Sequence, residues 1–74
     1  MPEQGERIVC HLDKLLADRG LTLAELASQV GITVVNLSIL KNNRAKAIRY
    51  STLAALCDAL ACQPGDLFSY DETR

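Results

Sequence analysis

The sequence predicts an all-α fold of five short helices, and three observations carry that prediction. Apolar residues recur at helical spacing in separate runs, each only a few turns long. Residues suited to starting helices (Thr22, Thr33, Ser51, Pro64) and to stopping them (Gly20, Gly31, Asn43) lie between those runs. The composition is 49% hydrophobic, rich in Leu and Ala with one Phe and no Trp, which suits a small helical bundle. A chain of 74 residues, taken as a single domain over 1–74, buries only about 60% of its unfolded surface, so its core must be dense and simple.

Leu12, Leu15 and Leu16 define the first helix, which ends near Arg19-Gly20 with Gly20 as its stop. Its start is open, because Arg7-Ile8-Val9-Cys10 is β-branched in the middle and reads as a short strand or as a helical turn. Thr22 is an N-cap, and Glu25 three positions later completes a capping box. Leu23, Leu26, Ala27 and Val30 then give a second helix, about 23–29, with one buried face. Gly31 supplies a left-handed residue, Ile32 plugs the core, and Thr33 caps a third helix over 34–42 that buries Leu37 and Leu40.

Asn43 is expected in a left-handed cap conformation, with a basic loop over 44–50 behind it. Ser51 is expected to cap a fourth helix with Leu53, Leu56, Cys57 and Leu60 on its inner face. Pro64 suits the first position of a short fifth helix, and Leu67 and Phe68 close the bottom of the core. The run 67–70 is short, apolar and aromatic, and could pair with 7–10. Such a ribbon is marginal unless it packs on helices.

Residues 22–43 therefore have the layout of a helix-turn-helix, whose second helix is left free to project into a major groove. The net charge of −1 looks wrong for a nucleic-acid partner, but its distribution matters more than its sum. No Asp or Glu occurs from Leu26 through Cys57, while Lys41, Arg44, Lys46 and Arg49 all fall there. An ordinary solvated loop would carry similar charges. Charges placed beside a helix-turn-helix favour DNA.

Other function classes find little support. Cys10, Cys57 and Cys62 are too few and too unevenly spaced for a disulfide framework, and read as free thiols serving as small core hydrophobes. They lack the paired spacing of a zinc site. His11 has no nucleophile or carboxylate constellation around it, and no phosphate-cradling Gly-rich loop occurs, so neither an enzyme nor a cofactor is expected. No apolar run reaches membrane-spanning length and the first residues lack a signal-peptide pattern, so the expected location is cytoplasmic.

Leu-Thr-x-x-Glu-Leu-Ala at 21–27, Gly-Ile-Thr at 31–33 and Leu-Ser-x-Leu-Lys-Asn at 37–42 resemble the Cro and phage-repressor type helix-turn-helix family. The helix at 51–60 and Gln-Pro-Gly-Asp-Leu-Phe at 63–68 extend the resemblance, which is greatest to the small stand-alone regulators of the YozG-like branch. The resemblance implies a five-helix lambda-repressor-like domain and a dimeric bacterial regulator of transcription, bound to double-stranded DNA on the nucleoid and acting as a repressor. It implies base reading by Val34, Val35, Asn36 and Ser38. It implies phosphate contacts from Thr22, Thr33, Lys41, Asn42, Asn43, Arg44 and Lys46. Leu23 departs from the family's frequent Gln, and Val34 and Val35 stand where polar base readers are usual.

Each of these residues also has a plainer role. Asn36 can make a bidentate contact to adenine, or merely bond locally near the helix start. Val34 and Val35 can meet thymine methyl groups, or form an apolar patch for a protein partner. Ser38 either permits close approach or is an ordinary surface serine. Arg49 reads as a phosphate ligand or an exposed charge. The alternative function is accordingly an antitoxin-like adaptor or other protein-interaction module.

Overall fold

The computed structural model describes residues 7–73. In chain order the elements are β1 (Ile8–Cys10), α1 (Leu12–Arg19), α2 (Leu23–Val30), α3 (Val34–Lys41), α4 (Tyr50–Leu60), α5 (Pro64–Leu67) and β2 (Phe68–Tyr70). The fold is thus the expected five helices, and the two short end segments do form strands. They pair antiparallel, with Ile8 opposite Tyr70, Val9 opposite Ser69 and Cys10 opposite Phe68. The ribbon is not left alone: Cys10 and Phe68 pack against the helical core, which is the support so small a sheet requires.

That core is built from leucine. Leu12, Leu26, Leu37, Leu56, Leu60 and Leu67 are fully buried, so every helix contributes at least one. A second regularity lies at the helix starts. Cys10, Leu21, Ile32, Ile48 and Cys62 each stand one residue before an N-cap, and all are half-buried against the core. Five residues after each of them comes Leu15, Leu26, Leu37, Leu53 or Leu67. This is the spacing of a hydrophobic staple, in which the residue before the cap and the fourth helical residue fix the angle at which the chain enters the helix.

The staple explains one departure from expectation. Ser51 does not cap α4; Arg49 is the N-cap, and the Leu53 amide donates to its carbonyl at 2.9 Å. With Ile48 docked on the core, the helix starts two residues earlier than the serine would have it. Tertiary packing outweighs a local capping preference worth about 1 kcal/mol. The expected inner face is also narrower: Leu56 and Leu60 are buried, while Leu53 and Cys57 are half-buried.

The helix ends share one geometry. After α1, α2, α3 and α4 a left-handed residue follows, namely Gly20 (φ 63), Gly31 (φ 80), Asn43 (φ 61) and Ala61 (φ 50). In each case the next amide returns to a carbonyl five residues back: Leu21 to Leu16, Ile32 to Ala27, Arg44 to Ile39 and Cys62 to Cys57. This closing bond satisfies carbonyls that the helix itself leaves unpaired. Glycine or asparagine is the usual residue there, and Ala61 is the exception.

A left-handed conformation costs an alanine roughly 1–2 kcal/mol, part of which glycine returns through its larger loss of chain freedom on folding. Ala61→Gly is therefore expected to stabilise the protein by about 0.5–1 kcal/mol in chemical denaturation. A destabilised variant would show that the Ala61 methyl makes packing contacts that outweigh its backbone strain.

Candidate nucleic-acid interface

The geometry of the site begins at Gly31. Its left-handed backbone lets the Ala27 carbonyl accept from both the Gly31 amide, at 2.9 Å, and the Ile32 amide, at 3.2 Å. A Cβ at this position would meet nothing within 4 Å, so the dihedral angle, not space, calls for glycine. Between α2 and α3 the chain turns through 114°. Leu26 and Leu37 then anchor the two helices in the same core, and α3 is held with its opposite side facing out.

That outer side carries three of the four expected base readers. Val34 is 46% exposed, Val35 is 69% exposed, and Asn36 is exposed beside them. Ser38 differs, being half-buried, and its Oγ accepts from Asn42 Nδ2 at 3.2 Å. Thr33 Oγ1 accepts from the Asn36 amide at 3.0 Å, so the Asn36 backbone is committed to the cap while its side chain is exposed. No acid occupies the first turn of α3, and its positive end is open to a phosphate.

The start of α2 is arranged differently. Thr22 Oγ1 accepts from the Glu25 amide at 3.1 Å, and Glu25 Oε1 accepts from the Thr22 amide at 3.0 Å. These bonds complete the expected capping box and hold the Glu25 carboxyl below its ordinary pKa, chiefly through the Thr22 amide. A carboxylate therefore stands at the start of α2, where a phosphate contact by Thr22 would have to form beside like charge.

The expected phosphate ligands also divide. Arg44 and Lys46 lie fully in the exposed loop after α3. Lys41 is half-buried, and its Nζ pairs with Asp13 Oδ1 at 3.2 Å, an acid on α1 far away in sequence. Asn43 Oδ1 accepts from the Cys10 amide at 2.6 Å, tying the end of α3 to β1 and leaving the Asn43 amide group as the donor. Asn42 caps α3 and engages Ser38.

The fold brings in residues that sequence reasoning did not join to the site. Asn36, Ala45, Ala47, Ile48, Arg49 and Thr52 line one cleft of about 430 Å³ between α3, the loop and the start of α4. Arg49, which read equally as ligand or bystander, thus lines the same cleft as Asn36. The staple spacing of Ile48 and Leu53 was the signal that could have placed it. Among the described residues, no three His, Cys, Asp or Glu side chains gather to hold a metal ion, and no single helix is long and apolar enough to cross a membrane.

Comparison with known proteins agrees with this geometry. Residues 11–73 match the family model for the Cro/C1-type HTH DNA-binding domain. The chain is 57% identical over 63 residues to the HTH-type transcriptional regulator YozG of Bacillus subtilis strain 168, covering 85% of this chain and 75% of that one. Its structure is similar to that of the transcriptional regulator VanUg, with a TM-score of 0.71 and 31% identity over 85% of this chain and 83% of that one. It is also similar to the clp gene regulator ClgR from C. glutamicum, with a TM-score of 0.70 and 33% identity over 89% and 84% of the two chains.

The α2 cap makes a pH-dependent contribution whose sign follows from the Glu25 shift. A carboxyl lowered in the folded state stabilises the fold above its unfolded pKa and loses that effect as pH falls through its folded value. Glu25→Gln keeps an acceptor in the capping box without the charge. It should melt below the wild type at neutral pH and converge with it in acid, as followed by circular dichroism. A gap that persists below the carboxylate range would assign the effect to hydrogen-bond geometry, not charge.

Proposed function

Because the chain belongs to the Cro/C1-type helix-turn-helix DNA-binding family, we propose that it acts as a dimeric repressor that reads an operator with α3. The supporting observation is the exposed strip Val34, Val35 and Asn36, flanked by a loop whose Arg44, Lys46 and Arg49 have no acid near them in sequence. Asn36 reads adenine, Val34 and Val35 meet thymine methyl groups, and Ser38 permits close approach. Thr33, Asn42, Asn43, Arg44 and Lys46 hold backbone phosphates. Thr22 and Lys41 are the weaker candidates, being engaged with Glu25 and Asp13.

Repression is steric in this reading: the protein bound at its operator on the bacterial nucleoid excludes polymerase from that site. Dimerisation follows from affinity. One helix in one groove makes too few contacts for a specific Kd of about 10⁻⁸–10⁻¹¹ M, whereas two copies on half-sites about 34–36 Å apart supply them. The β1–β2 ribbon carries spare apolar surface for the contact, with Ile8 43% and Tyr70 58% exposed. The exposure of Val35 also suits a second reading, an adaptor that binds a protein through the same strip.

Asn36→Ala should cost about 1–3 kcal/mol on the cognate site and relax preference at one operator position. Measured by gel shift on duplexes varied at each position, equal losses on all sequences would mean that Asn36 only supports the fold. Sedimentation at saturating operator should find two chains per duplex, and a single chain would end the dimer proposal.

The basic loop should supply affinity without sequence information. Each phosphate neutralised contributes about 0.9 to the slope of log affinity against log salt. Replacing Arg44 and Lys46 together by Ala should flatten that slope by up to about 2 per chain and weaken cognate and random DNA alike. An unchanged slope would place the loop away from DNA and favour the protein-binding reading.

A further inference from the structure

Two of the three cysteines are brought together by the end of α4. The Cys62 amide donates to the Cys57 carbonyl at 3.0 Å across the left-handed Ala61. In this kind of helix end, the side chains of the two hydrogen-bonded residues lie against one another. Across such a bond, standard backbone lengths keep the two Cα atoms within about 7 Å, against the roughly 4.4–6.8 Å that a disulfide spans. Both thiols are free and half-buried, and neither is sealed from solvent.

We propose that Cys57 and Cys62 form a dithiol site that low-molecular-weight disulfides convert to an internal disulfide. Burial pushes the Cys62 thiol above its ordinary pKa, and the neighbouring Cys57 adds to that push. The Arg19 guanidinium, held by donating to the Leu60 carbonyl, lies near Cys62 and offsets part of it. The site is therefore poised by proximity and not by an unusually acidic thiol.

The reaction is thiol–disulfide exchange in two steps. The Cys62 thiolate attacks one sulfur of the small disulfide, forming a mixed disulfide and expelling a thiolate. The Cys57 thiolate then attacks the Cys62 sulfur, closing the Cys57–Cys62 bond and expelling the second thiolate. The two protons lost by the cysteines pass through solvent to the two released thiols. Two protein thiols are oxidised and one small disulfide is reduced, so no other oxidant is needed.

The site is independent of the DNA surface. Cys57 lies eight residues beyond Arg49 on α4, about 12 Å along the axis, and Cys62 lies past the end of that helix. Closing the bond covalently joins α4 to the residue that staples the start of α5. Cys10, on β1, takes no part.

The test is equilibration of the folded full chain in oxidised and reduced glutathione, followed by alkylation and intact and peptide mass measurement. The reduced protein should take up three alkyl groups, and the oxidised protein one, on Cys10, with Cys57 and Cys62 linked in one peptide. Cys10→Ser should keep the bridge, whereas Cys57→Ser and Cys62→Ser should stop at a single glutathione adduct. The effective concentration of the two thiols should be at least about tenfold higher in the folded chain than in urea, where a short flexible spacing gives only millimolar values. A bridge through Cys10, a link between chains, or an effective concentration no higher than in urea would each overturn the proposal.

Discussion

The left-handed residue that ends each of the four longer helices is the constraint on which the arrangement depends. A helix of eight residues has more unpaired end groups than internal hydrogen bonds, and on its own it is barely stable in water. The amide returning five residues back satisfies those ends and reverses the chain within a few residues. The staple residue that follows then seats the next helix on the leucine core. Helix end and helix start are thus one continuous unit, clearest at Cys62, which closes α4 and staples α5. Short helices persist here because each is held by the joint before it and the joint after it.

The interface exploits that rigidity. Two apolar residues of α3 serve the core, with Leu37 fully buried and Leu40 nearly so. Val34 and Val35 instead face outward, which a helix selected only for stability would avoid. Two adjacent exposed valines at the start of a helix make sense if a partner covers them, and the open positive end of α3 favours a partner with negative charge. Glu25 makes α2 the opposite case: its carboxylate completes the cap, so that helix is stable without an anion.

Much of this was legible in the sequence because the governing interactions are local. The Thr22–Glu25 box, the Thr33 cap and the stops at Gly20, Gly31 and Asn43 all act within a few residues, and the structure contains each of them. The strands at both ends were readable only as one of two alternatives, since 7–10 suited a strand or a helical turn, and the structure settles it by pairing 8–10 with 68–70. Illegible features depended on distant residues. Nothing near Lys41 in the sequence offers an acid, yet α1 brings Asp13 to it. Asn43 looked free for DNA, yet β1 takes its carbonyl oxygen. The start of α4 was misplaced because Ser51 is a good local cap, and only the docking of Ile48 explains why Arg49 takes that position.

The β1–β2 ribbon joins Ile8 to Tyr70, nearly the full length of the described chain. The joints between successive helices each close over a handful of residues. Forming the ribbon demands the largest loss of chain entropy, offset by three strand pairs, by the His11–Ser69 and Asp71–Arg7 hydrogen bonds and by the packing of Cys10 and Phe68. The bond from Asn43 to the Cys10 amide connects that ribbon to the end of α3. Opening β1 therefore releases the bond that holds the end of α3, while the turn at Gly31 rests on its own local hydrogen bonds. The two ends of α3 thus differ in the reach of their support, one held within its own turn and the other by the far end of the fold.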